Sequence, residues 1–233
     1  MRPAERGWIE RSMTWFVGEF GRAPLTGPVV LPTDDYFPGA YRGSPDDVRA
    51  VLAKLCRQMG VDPDGVELEL YAADDNPELS AVVPIAGRSS GAAGHYRRRD
   101  GRAVIAVRDD QPARPMALVA TIAHELGHVR LLGERRIAPG RADGEPLTDL
   151  VTIFFGLGIF GANAALDVWR DERYTRSARL GYLTEPMFGY GLATYAYLRG
   201  ETDPRWARHL DTNPRVFLKR GLRYLARADR PVG

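Results

Sequence analysis

Seventeen consecutive residues without a charge, Leu150–Leu166 (LVTIFFGLGIFGANAAL), constrain this chain more than any other stretch. That length sits at the bottom edge of a membrane span, and the run contains Thr152 and Asn163. Its flanks, Asp149 and Asp167, lack the basic and aromatic anchors of a spanning helix. The reading is a core helix, which needs a body to bury it. At 233 residues and 25.8 kDa the chain is long enough for one domain, or for an N-terminal α/β lobe (1–114) with a helical lobe (115–233). A composition of 44% hydrophobic and 27% charged residues belongs to a globular chain rather than a disordered one. Arg supplies 30 of the 32 basic residues, spread along the chain, and the net charge is +2, so no electrostatic case for nucleic acid arises. Cys56 stands alone and can form no intramolecular disulfide. Glu5, Glu10 and Glu19 interrupt the apolar run a signal peptide requires, so the expected location is the cytoplasm.

The predicted elements run from helix to sheet to helix. Trp8, Ile9, Met13, Trp15, Phe16 and Phe20 are spaced for an amphipathic first helix. Ser44-Pro45-Asp46-Asp47 starts a second helix with a Ser cap and Pro at its first position. It ends at Gly60 and buries Val48, Val51, Leu52, Leu55 and Cys56. Period-two patterns predict strands at Val66–Tyr71 and Ala81–Ala86, and a hairpin from Gly94 to Val107 turning at Asp100-Gly101. The basic run Arg97–Arg99 reads as a solvated edge. Helices are then expected from Met116 to Leu132, across Glu145–Ala165 with Asp143 as cap, from Thr184 to Leu198, and from Asn213 to Ala226. The expected class is α+β, a small mixed or antiparallel sheet followed by helices.

The helix expected over Met116–Leu132 carries His124-Glu125-Leu126-Gly127-His128, an HExxH motif. Positions i and i+4 put both imidazoles on one helix face, where two nitrogens reach one ion. Neutral imidazole suits Zn²⁺, and a catalytic zinc keeps three protein ligands and one open position. Glu125 can take the proton of a water on the metal and deliver it to a leaving amine. Downstream, Glu145 and Asp149 also share a helix face at i and i+4.

HELGH followed by Glu145-Pro146-Leu147-Thr148-Asp149 resembles the gluzincin arrangement of thermolysin-type zinc metallopeptidases. The resemblance covers about 104–163. It implies a zincin-like fold, Glu145 as third ligand beside His124 and His128, and Asp149 as the carboxylate that orients an imidazole, that of His124. The connection from His128 to Glu145 is shorter than in thermolysin itself. The metzincin pattern fails, because Leu131 and Glu134 stand where it needs Gly and His, and Glu134 remains a competitor for the third ligand position. A zincin also needs a donor for the oxyanion. Among His209, Tyr174, Tyr182 and Tyr190, the choice is His209 and Tyr190. By the same resemblance the strand RAVIAV is the edge along which an extended peptide lies.

The expected function is therefore that of a zinc metallohydrolase, a peptidase with one Zn²⁺ ion and Glu125 as general base, acting on a peptide or protein substrate with neither nucleic acid nor membrane as partner. The alternatives on the same site are a non-peptidase amide hydrolase and a metal-dependent regulatory or interaction protein.

Overall fold

The computed structural model describes residues 1–37, 39, 41–72, 93–167 and 182–228. Its class is α+β, with helices on either side of a small sheet in chain order. Helix α1 (Pro3–Phe20) buries Ile9, Met13 and Phe16, and a single turn, α2 (Ala23–Thr26), follows. Helix α3 (Pro45–Met59) begins as its sequence dictates. The Ser44 hydroxyl accepts the Asp47 N–H at 3.2 Å, and the Asp47 carboxylate accepts the Ser44 N–H at 3.0 Å, a reciprocal cap. Gly60 ends it in the left-handed conformation at φ 67°. Cys56 lies on its buried face among Val48, Val51, Leu52, Leu55 and Met59.

The sheet contains β1 (Val66–Tyr71), β2 (Gly94–Arg99) and β3 (Arg102–Arg108) in the order β1-β3-β2. β1 runs parallel to β3 and β2 antiparallel to it, so the sheet is mixed. The hairpin turns at Asp100 (φ 50°) and Gly101 (φ 83°), where two positive φ values match the strand twist. Strand β3, the RAVIAV strand, is central and not an edge, because a parallel strand and an antiparallel one bond its two sides. Among the described residues the edge nearest the HExxH helix is β2. One sheet face sends Leu68, Ile105 and Val107 into the core. The other is covered by ion pairs from Arg97 to Glu69 and from Arg99 to Glu67 and Glu69, so the basic run is partnered as well as solvated. The strand expected at Ala81–Ala86 lies outside the described residues.

Helix α4 (Pro115–His128) packs against β2 and β3 on one side and against α5 (Gly144–Phe154) and α6 (Gly158–Asp167) on the other. It stops four residues before the expected Leu132, since Val129–Gly133 widen into a π-turn in which the Glu134 N–H reaches the Val129 carbonyl at 3.1 Å. The helix expected over Glu145–Ala165 is two helices. Gly156 takes φ 80°, its carbonyl accepts the Val30 N–H at 3.0 Å, and the Phe155 carbonyl accepts from Gln58 Nε2 at 2.8 Å. A side chain at position 156 would meet the Pro28 carbonyl oxygen at 3.0 Å, so glycine is what lets the Pro28–Val30 segment lie against the break. The uncharged run thus folds as two core helices joined by a kink. Asp143 makes no capping bond to α5, its carboxylate accepting instead from Trp8 Nε1 at 2.8 Å and from Arg141.

Helices α7 (Glu185–Leu198) and α8 (Thr212–Ala228) are the last described helices, packing closely at Gly189 and Gly221. Buried apolar side chains from Ile9 and Phe16 through Ile105 and Ile122 to Phe160, Phe188, Leu218 and Leu225 form one continuous cluster. Among the described residues no helix is long and apolar enough to cross a membrane.

Candidate metal centre

Two helices have to cross closely for a carboxylate on one to reach imidazoles on the other, and Gly127 provides the crossing. A Cβ there would come within 2.8 Å of Thr148 Cγ2 and 3.2 Å of the Thr148 carbonyl oxygen. Glycine between the two histidines therefore lets the backbones of α4 and α5 touch one turn from Glu145. The result brings together His124, His128 and Glu145, whose ligand atoms lie within 4.8 Å of one another. Glu145 Oε2 is 3.1 Å from His124 Nε2 and 3.4 Å from His128 Nε2.

The opposite nitrogens are held by α5. His124 Nδ1 lies 2.8 Å from Asp149 Oδ1, and His128 Nδ1 lies 3.4 Å from Thr148 Oγ1. A carboxylate accepts from Nδ1–H, so Nε2 of His124 is the nitrogen that faces Glu145 and, once unprotonated, is the one available to an ion. Asp149, 5% exposed, also accepts the backbone N–H groups of Tyr182 and of Leu183, the latter at 3.0 Å. Three donors on one buried carboxylate satisfy its oxygens and offset its desolvation.

Burial and hydrogen bonding oppose each other at two of these groups. Burial disfavours an imidazolium at His124, but Asp149 and Glu145 more than offset it, so the His124 pKa stands well above its ordinary value. Burial likewise works against the Glu145 carboxylate, and the two imidazoles outweigh it and hold the carboxyl well below the usual range. The donor set fits a divalent ion of zinc type: two imidazole nitrogens and one carboxylate oxygen, each with an orienting partner or burial behind it. Bonds of about 2.0–2.2 Å in a tetrahedron place ligand atoms about 3.3–3.6 Å apart. The Glu145 separations of 3.1 and 3.4 Å are close to that edge length.

Glu125 lies beside this cluster, 5% exposed, and its carboxylate makes no hydrogen bond to a described residue. Gly94 on β2 is what accommodates it. A Cβ at position 94 would stand 3.2 Å from Glu125 Oε1 and 2.6 Å from Thr121 Cγ2. The neighbouring His95 is pushed toward its neutral form by burial, which the nearby Glu125 charge partly opposes.

Two tyrosines flank the ligands. The Tyr182 ring lies nearly parallel to His124 at 5.8 Å, and the Tyr96 ring nearly parallel to His128 at 6.2 Å. Burial, followed by the charges of Glu145, Asp149 and Glu125, pushes the Tyr182 phenol up to about 12, so it is a hydrogen-bond donor at neutral pH. The two donors expected from sequence are elsewhere. Tyr190 is 3% exposed on α7, donates to Glu10 of α1 and packs edge-on against Tyr224 at 6.1 Å. His209 ends a 3-10 turn, where its Nε2 accepts from Arg208 at 3.1 Å and its carbonyl from Asn163 at 2.9 Å. Tyr174 lies outside the described residues. Glu134, the competing ligand, pairs with Arg130 and with Arg136 Nε at 2.9 Å. Gly94, Tyr96 and Tyr182 carry no local motif, and only the fold brings them to the histidines. Comparison with protein-family models, with curated proteins and with solved structures returns no match.

Proposed function

We propose that the chain is a zinc-dependent metallohydrolase with a zincin-like arrangement, acting as a peptidase on peptide or protein substrates in the cytoplasm. The observation that carries this reading is the convergence of His124, His128 and Glu145 from two helices with Glu125 beside them. His124 and His128, with Glu145, would hold the ion, and no fourth protein ligand competes for it among the described residues. Zinc, when bound, supplies the Lewis acidity that polarises a substrate carbonyl and makes water nucleophilic at neutral pH.

Glu125 does the proton work. Its carboxylate, free of described partners, takes a proton from the attacking water and returns it to the leaving amine. Tyr182, whose ring stacks on His124, replaces Tyr190 and His209 as the donor beside the ligands, and it serves the developing oxyanion. Substrate lies along β2. Arg108 N–H bonds the Ala93 carbonyl at 3.0 Å, which fixes the ladder so that Gly94, Tyr96 and Arg98 turn their main-chain groups away from β3. An extended peptide adds as a further strand there, past Gly94 and next to Glu125.

The test is turnover of a fluorescence-quenched peptide library by zinc-loaded wild type and by Glu125→Gln. The expected result is cleavage by wild type and a rate lower by roughly 100-fold or more in the variant, with metal retained. Equal rates in the two proteins, or no cleavage by wild type, would contradict the reading.

A further inference from the structure

Helix α8 carries a charge pattern that the metal centre does not use. Its sequence, TNPRVFLKRGLRYLARA, has five cations and no acidic residue. Arg215, Lys219, Arg220, Arg223 and Arg227 fall within an arc of about 140° at 100° per residue. Leu218, Gly221 and Leu225 occupy the opposite, buried side against α7. No described carboxylate forms an ion pair with any of the five. Arg220 stacks over the ring of Phe217 at 6.0 Å, and Arg223 Nε donates to the Lys219 carbonyl at 3.3 Å. Elsewhere several arginines do form ion pairs, among them Arg97, Arg99, Arg136, Arg141 and Arg199. The arc also contains an exposed apolar group, Val216 at 40%.

The whole-chain charge hides this patch. The chain carries +2 and the five cations of α8 carry +5, so the remaining residues carry −3. A negatively charged plane is therefore attracted to the face of α8 more than the whole-chain charge of +2 suggests.

We propose that the exposed face of α8 docks on an anionic phospholipid surface. Cations ranged along a rigid helix suit a plane of phosphate and carboxylate headgroups. Val216 on the same face fits the headgroup boundary, where a small apolar side chain is accommodated. The apolar side of α8 is committed to α7, so docking is superficial, electrostatic and reversible, and it uses no spanning segment.

The experiment is co-sedimentation of the full chain with vesicles of phosphatidylcholine and phosphatidylserine (70:30) and with pure phosphatidylcholine, at 50 and 300 mM NaCl. The proposal predicts binding to the anionic vesicles alone, weakened at the higher salt. The triple variant Arg220→Gln, Arg223→Gln, Arg227→Gln should bind roughly 100-fold more weakly, and the corresponding triple Lys variant should bind as wild type does. An unchanged melting midpoint in both variants shows that the fold is intact. Equal binding to both vesicle types, no binding to either, or displacement from the vesicles by a stoichiometric 20-base-pair DNA duplex would overturn it, the last assigning the face to nucleic acid.

Discussion

Asp149 uses both carboxylate oxygens, one on His124 Nδ1 and the other on the backbone of Tyr182 and Leu183. It therefore sets the tautomer of one ligand and the position of the ring that stacks on that ligand. Asp149→Asn keeps the shape but presents an amide whose NH₂ faces a donor on at least one side. Zinc affinity should fall 10–100-fold by competition with a chromogenic chelator, in the range typical for such orienting carboxylates. Affinity unchanged in that assay would mean that Asp149 does not orient the ligand. A second residue-scale prediction concerns Cys56. Burial pushes its thiol up to about 12, so the folded chain should react with iodoacetamide far more slowly than the urea-unfolded chain. Comparable labelling in both states, read by mass spectrometry, would place Cys56 outside the core. At this scale the sequence was most legible where chemistry is local: i, i+4 spacing marks His124 with His128 and Glu145 with Asp149. Tyr182 and Tyr96 were not legible as neighbours of the ligands, because they arrive from segments on either side in the chain, and a tyrosine without a motif is indistinguishable from a core residue.

Elements meet at glycines. Gly127 brings α5 onto α4, and Gly94 brings β2 onto the same helix. In Gly127→Ala the added methyl meets the Thr148 backbone as well as its side chain, so relief requires moving a helix. A loss of about 1–3 kcal/mol in urea unfolding is expected, with weaker zinc binding because Glu145 moves with α5. A variant as stable as wild type and fully metallated would show that the crossing has slack. The sequence signalled α3 well because cap, stripe and terminator all agreed at Ser44, Val48 to Cys56 and Gly60. It missed the break after α5 because Gly156 inside an apolar run looks like a tolerated helical glycine until Val30 and Gln58 bond the opened carbonyls. It also took β3 for an edge, since parallel pairing with β1 is a long-range contact that no local pattern reports.

For the whole molecule, protons and metal compete for one set of atoms. In the metal-free chain His124 has a raised pKa, so its contribution to stability is complete below the ordinary 6.5 and is lost as pH rises through the raised value. Glu145 has a lowered pKa, so its contribution is complete above the ordinary 4.5 and is lost as pH falls. The cluster therefore supports the metal-free fold most fully between pH 4.5 and 6.5. Zinc requires neutral imidazoles, and its added stability runs the other way. The gain in melting temperature on adding zinc should be largest above the raised pKa of His124 and shrink as pH falls through it. A gain independent of pH would place the ion on other ligands.

Metal content per chain, measured by inductively coupled plasma mass spectrometry on wild type and Glu145→Ala purified side by side without chelator, bears on all of this at once. One zinc per wild-type chain with clear loss in the variant is the predicted result. Wild type that stays empty after zinc is supplied, or a variant that holds as much zinc as wild type, would contradict a centre built from His124, His128 and Glu145.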